Sequence, residues 1–189
     1  MYLFFDTETT GVPKNYKAPV TDIANWPRMV QIAWLLYNDQ QQAVARQEYI
    51  IRPEGFTIPE EAAKIHGIST QKALEEGVSL QMVLEEFKDY ISESKAIIAH
   101  NISFDEKIVG AEFVRKNISH ALFAKPRICT MHGSTNFCQL PGRYGFKWPK
   151  LSELHIKLFG EDFEGAHDAL ADIEATARCY WELKRIGVM

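Results

Sequence analysis

Four acidic residues and one histidine carry the chemistry that this sequence can offer. Asp6 and Glu8 stand two apart in Tyr-Leu-Phe-Phe-Asp-Thr-Glu, residues 2–8, where an apolar stretch turns acidic. Side chains two apart on a strand project from one face. Their carboxylates would therefore repel each other and lose hydration if partly covered. A bound cation relieves both costs, and a strand-end pair facing water avoids them. In His100-Asn101-Ile102-Ser103-Phe104-Asp105, Asp105 falls at an expected helix start, where an acid either joins a site or offsets the helix dipole. In His167-Asp168-Ala169-Leu170-Ala171-Asp172, two positions five apart on a helix would point ~140° away from each other. A shared site therefore needs His167 on the loop after Gly165 and Asp172 inside the helix. Oxygen ligands suit a hard cation such as Mg²⁺, and two such ions ~3.5–4 Å apart are a general means of cleaving phosphodiesters. Four carboxylates match the charge of two Mg²⁺ ions. Histidine titrates near ~6.5 and can take a proton from water at neutral pH.

The elements that must position these groups follow from the hydrophobic pattern. Residues 2–8 read as a buried strand closed by a turn at Thr9, Thr10 and Gly11. Residues 12–28 form a long irregular connection, a length that is often functional. Met29–Tyr37 suits a central strand, and Glu48–Arg52 a third strand stopped by Pro53. Short turns between these three suggest an antiparallel meander. A short helix over Pro59–Ile65 ends at Gly67. Leu80, Val83, Leu84, Phe87 and Ile91 recur at helical spacing, with Ser79 placed to cap. Lys95–Ala99 reads as a fourth strand, Asp105–Lys116 as a helix and Arg127–Met131 as a short fifth strand. Gln139–Lys150 is loop, a helix runs from Pro149 or Lys150 to Leu158, and Ala169, Ile173, Ala177 and Trp181 mark the buried stripe of the last helix. Strands first, then helices mixed with strands, indicate an α/β protein with a mixed five-stranded sheet flanked by helices. No repeat or linker divides residues 1–189, so one domain is expected.

Taken in order, the three acidic segments resemble those of the DEDDh exonuclease superfamily, which includes the DnaQ-like proofreading subunits, oligoribonuclease and ribonuclease T. Asp6-Thr-Glu8 matches the first motif, His100-Asn-x-x-Phe-Asp105 the second and His167-x-Ala-x-x-Asp172 the third. Lys64-Ile-His66-Gly67-Ile-Ser is similar to the His-Gly-Ile segment between the first two. The resemblance runs from Tyr2 to about Lys184 and implies a ribonuclease H-like fold. It further implies release of nucleoside 5′-monophosphates from nucleic-acid 3′ ends. Asp6, Glu8, Asp105 and Asp172 would hold two Mg²⁺ ions, replaceable by Mn²⁺, and His167 would act as general base. Thr7, Glu8, Thr9 and Val12 would contact the terminal nucleotide, with His66, Asn101 and Phe104 beside it. Three of these have plainer alternatives: a minor core contact for Val12, core packing for Phe104, and a helix C-terminal histidine for His66. The long 12–28 connection departs from the compact family form.

Hydrophobic residues make up 46% and charged residues 24% of the 189, the balance of an ordinary globular protein. No apolar run of ~18 residues could span a membrane, and Asp6 interrupts any signal-peptide pattern. Cys129, Cys138 and Cys179 are odd in number and lack Cys-x-x-Cys spacing, as expected of reduced thiols in a cytoplasmic protein. The net charge is −4, whereas proteins that grip long duplexes carry basic excess. A short stretch of nucleic acid and positive charge borrowed from metal would reconcile the two. Arg143-Tyr-Gly-Phe-Lys147-Trp-Pro-Lys150 interleaves cations and aromatics. It reads either as a single-strand contact or as a loop pinned by its aromatics. Three readings of function compete: a stand-alone exonuclease on single-stranded or frayed DNA or short RNA, a proofreading subunit of a polymerase assembly, and a silent binding module. The chain stops at Gly187-Val-Met189, which disfavours a polymerase-binding tail, and five costly residues argue against silence.

Overall fold

The computed structural model describes residues 1–189. Five strands form the main sheet: β1 (Tyr2–Thr9), β2 (Met29–Tyr37), β3 (Ala43–Ile50), β4 (Ala96–Ala99) and β5 (Arg127–Cys129). Their spatial order is β3-β2-β1-β4-β5. β1 runs antiparallel to β2, and β2 to β3, while β4 and β5 lie parallel to β1. The helices are α1 (Glu60–His66), α2 (Thr70–Glu76), α3 (Leu80–Glu93), α4 (Ile102–Arg115), α5 (Thr130–Gly133), α6 (Thr135–Cys138), α7 (Leu151–Phe159) and α8 (Ala169–Arg185). A two-stranded hairpin, β6 (Pro141–Gly142) with β7 (Gly145–Phe146), stands apart from the sheet. This is a mixed ribonuclease H-like sheet between helices.

Both faces of the central strands are covered, which is why β1 and β2 read as near-continuous apolar runs. Strand alternation sorts the faces. Leu3 and Phe5 pack with Ile32, Trp34 and the α3 stripe of Leu80, Val83, Leu84, Phe87 and Ile91. Phe4, Ala33, Leu35 and Ile98 meet Ala169, Ile173, Ala177 and Tyr180 of α8. Continuing that alternation past Phe4 sends Asp6 and Glu8 toward the α8 face and Thr7 toward the opposite one. The register slips between Glu8 and Thr9, where Val30 is skipped. Such a bulge ends pairing and re-aims side chains at a strand end.

Several boundaries differ from the sequence expectation. β3 spans Ala43–Ile50 rather than Glu48–Arg52, because the Ala43-Val44-Ala45 run that opens it is short, and Val44 is exposed, so it carries no buried alternation. Ile51 and Arg52 instead bridge to Val78. α2 was not foreseen; Ser69 caps it by accepting from the Lys72 N–H at 3.1 Å. Ser79 occupies the cap position of α3 but makes no side-chain bond there. α4 starts at Ile102, so Asp105 lies within its first turn. The fifth strand stops at Cys129, where α5 begins. On α8 the four-residue stripe fails at its end. Four residues advance ~40° beyond a full turn, so Tyr180 takes the buried place, while half-buried Trp181 joins the rings of Tyr2, Phe4 and Tyr37 at 5.4–5.9 Å.

Residues 12–28 have no helix or strand and are tied down from α4. Arg115 donates to the carbonyls of Ile23 and Trp26, both at 2.6 Å. Fully buried Glu112 accepts from Arg28 at 2.9 Å and from the Met29 N–H at 3.0 Å. All three cysteines are free thiols, and no helix is long and apolar enough to cross a membrane.

Candidate active site

The site forms where β1 ends and α4 and α8 begin. Burial, and then charge on Asp105, Asp172, Glu8 and Asp168, hold the Asp6 carboxyl well above the usual carboxylate range. Glu8 is pushed up to about 8 by burial and by Asp172, Asp105 and Asp168. Burial raises Asp105 to about 7 against the pull of two hydrogen bonds: Thr7 donates to its Oδ1 from the hydroxyl at 2.8 Å and from the backbone at 3.1 Å. Burial raises Asp172 to about 6, partly offset by the His167 backbone N–H that donates to its Oδ2 at 3.2 Å. Four carboxyls from three segments thus feel one another's charge, the behaviour of a single cluster.

His167 lies on the loop just before α8, with the backbone in the left-handed region at φ 71°. Gly165, at φ 80°, supplies the preceding turn. That path folds His167 back over Asp172. One ligand atom each from Glu8, His167 and Asp172 then lies within 4.8 Å of the others. His167 is exposed, and its imidazole faces solvent beside the acids. Asp168 was assigned no role from the sequence. It caps α8, accepting from Leu170 and Ala171 at 3.1 and 3.0 Å, yet its charge also raises Asp6, Glu8 and Asp172. Gln31, opposite Glu8 on β2, was missed as well. It bonds Glu48 at 2.7 Å and the Ala169 N–H at 3.3 Å, bracing the root of α8.

Beside the acids lies a pocket of about 460 Å³ lined by Thr7, Glu8, Thr9, Gly11, Val12, Ile65, His66 and Phe104 among others, within the size range of small-ligand sites. Val12 is 71% exposed, which excludes the core-contact alternative. Phe104 both lines the pocket and packs against the core. Thr7 is buried with its hydroxyl committed to Asp105, and the Thr9 hydroxyl donates to the Gly11 carbonyl at 2.6 Å. His66 is buried at the end of α1; its Nδ1 accepts from the Ile68 N–H at 3.2 Å and its Nε2 has no partner. Burial lowers its pKa. Asn101 occupies the position before α4 without a side-chain capping bond; its backbone is in the left-handed region at φ 72°, which asparagine tolerates, and turns β4 into the helix bearing Asp105.

Like charges held together at the cost of hydration fit a cation. The donors are carboxylate oxygens beside one imidazole, a set suited to a hard divalent ion. Fold and site together define a metal-dependent nuclease of the ribonuclease H-like class. A family model described as exonuclease (RNase T) matches residues 3–180, and the chain belongs to that family, within the DEDDh superfamily of 3′→5′ exonucleases. Among solved structures, E. coli Exonuclease I with a dA16 oligonucleotide is similar at 20% identity and a TM-score of 0.77, covering 97% of this chain. The zinc-bound E. coli Exonuclease I–ssDNA complex is similar at 20% identity and a TM-score of 0.78, covering 98%. The chain spans 40–41% of the length of these two structures. Among curated proteins, no sequence relative matches.

Proposed function

We propose that residues 1–189 act as one 3′→5′ exonuclease domain that hydrolyses the terminal phosphodiester of single-stranded or frayed DNA, or of short RNA, releasing nucleoside 5′-monophosphates. The observation that carries this reading is the convergence of Asp6, Glu8, Asp105 and Asp172, with His167 beside them, at the mouth of a nucleotide-sized pocket. Support for single-stranded DNA comes from E. coli Exonuclease I, whose structure holds dA16.

The four carboxylates would hold two divalent cations, Mg²⁺ or Mn²⁺, which when bound stabilise charge on the attacking and leaving oxygens. The protein's own groups do the rest. Thr7 fixes the rotamer of Asp105, and the His167 backbone N–H fixes that of Asp172. The terminal nucleotide enters the pocket against Val12 and Phe104, with His66 forming part of its wall. The imidazole of His167 takes a proton from the attacking water. Nothing in this arrangement reads base identity, as expected when contacts position backbone and ends.

The test is digestion of 5′-labelled single-stranded DNA, duplex DNA and RNA by the purified chain. A ladder shortening from the 3′ end with Mg²⁺, abolished by EDTA, is expected. Internal cuts or metal-independent activity would overturn the reading.

A further inference from the structure

We propose that the β6–β7 hairpin is a stacking platform for the single strand leading into the site, holding nucleotides upstream of the one removed; this rests on the exonuclease reading above. Tyr144 at the hairpin tip is 89% exposed, and Phe146 and Trp148 are exposed by half or more. Three large aromatics within five residues and open to water form an apolar surface of the kind that marks binding sites.

The charge around these rings selects the occupant. Residues 139–150 contain Arg143, Lys147 and Lys150 and no acid, on a chain whose net charge is −4. Lys147 is paired with Glu153 at 2.5 Å; Lys150 donates its backbone N–H to Glu153 at 2.8 Å, but its side chain, like that of Arg143, forms no ion pair. The Arg143 guanidinium lies 5.2 Å from the Tyr144 ring centre, so a cation and a flat ring face are offered together. Single-stranded nucleic acid presents phosphates and open base faces in that same alternation. A duplex hides its base faces within the stack.

The hairpin is also rooted beside the catalytic acids. β1 and β4 pair in parallel as far as Phe4 opposite Ile98, and His100 follows directly on the end of β4. The His100 Nε2–H donates to the Pro149 carbonyl at 3.0 Å, and its Nδ1 accepts from the Thr130 hydroxyl at 3.0 Å. Trp148 rests 4.7 Å from the His132 ring, and the Lys147 N–H donates to the Leu140 carbonyl at 2.9 Å. The platform is thus tied to the residue preceding Asn101, with only the tip left free.

The test compares binding of a fluorescent oligothymidylate of about 12 nucleotides with that of a dinucleotide, by anisotropy in EDTA. Tyr144→Ala should weaken binding of the longer strand by roughly 5- to 150-fold, the range for one lost base stack, and change dinucleotide binding less than about twofold. Tyr144→Phe should bind like wild type, because the ring carries the contact. Unchanged affinity of Tyr144→Ala for the longer strand would overturn the proposal. So would a wild-type dimer in sedimentation that Tyr144→Ala dissolves, which would make this face a protein interface. If wild type hydrolyses neither strand with Mg²⁺, the exonuclease reading fails, while the anisotropy still decides the platform.

Discussion

The carboxyl cluster has a stability cost that can be read as pH dependence. A carboxyl whose pKa is raised by folding binds its proton more tightly in the folded chain than in the unfolded one. Its support for the fold is complete below about pH 4 and is lost as pH rises through the folded values, about 6 for Asp172, 7 for Asp105 and 8 for Glu8. In EDTA, the melting temperature should therefore fall between pH 5 and pH 8.5, and Mg²⁺ should raise it far more at pH 8 than at pH 5.5. A flat profile in EDTA would contradict the cluster. Asp6→Asn removes one charge from it and should stabilise the metal-free protein, by about 2–4 °C per kcal/mol of repulsion relieved. The same change should cost more activity than the roughly 10–100-fold lost with an outer-shell partner. His167→Ala should lower kcat by about 10²–10⁴-fold while leaving metal and DNA affinity within about twofold; unchanged turnover would remove its role as base.

Elements whose formation is driven by their own apolar periodicity were legible, and those made by pairing or anchoring were not. β1, β2 and α3 announce themselves because their side chains are buried at the strand or helix period. The first half of β3 exists through its pairing with β2, and its side chains face water. At the site, the five chemical residues were visible as types and spacings. Asp168 and Gln31 were not, because a cap and a mid-strand glutamine look ordinary until their neighbours across 137 residues are known. The 12–28 connection shows the same limit: its order comes from Glu112 and Arg115 on α4. Arg115→Ala should leave Glu112 short of one partner and free the carbonyls of Ile23, Trp26 and Pro27. A loss of about 1–3 kcal/mol in urea unfolding is expected, the cost of a buried group left unpaired. A larger KM than wild type should accompany it, since this segment follows Val12 on the pocket rim; unchanged stability would show that the connection is held by other means.

At the scale of the whole molecule, an acidic chain must bind a polyanion. Binding through many lysines and arginines would release many counterions and make affinity collapse with salt. Here the net charge is −4, and several cations are already committed: Arg28 and Arg115 to Glu112, Arg127 to Glu106 and Lys147 to Glu153. Among the cations without a carboxylate ion pair, the single-strand reading uses Arg143 on the hairpin and Lys150 just after it, with Lys14 and Lys17 in the long connection. Metal in the acid cluster and stacking on exposed rings would supply the remaining attraction, and stacking carries no counterion term. If two or three phosphates are gripped, the logarithm of the binding constant should fall with the logarithm of salt at a slope of roughly −1.4 to −2.1, at about −0.7 per phosphate for single strands. A titration of a single-stranded oligonucleotide at fixed Mg²⁺ measures this slope. A value near −4 or steeper would require about six phosphate contacts and would overturn this account.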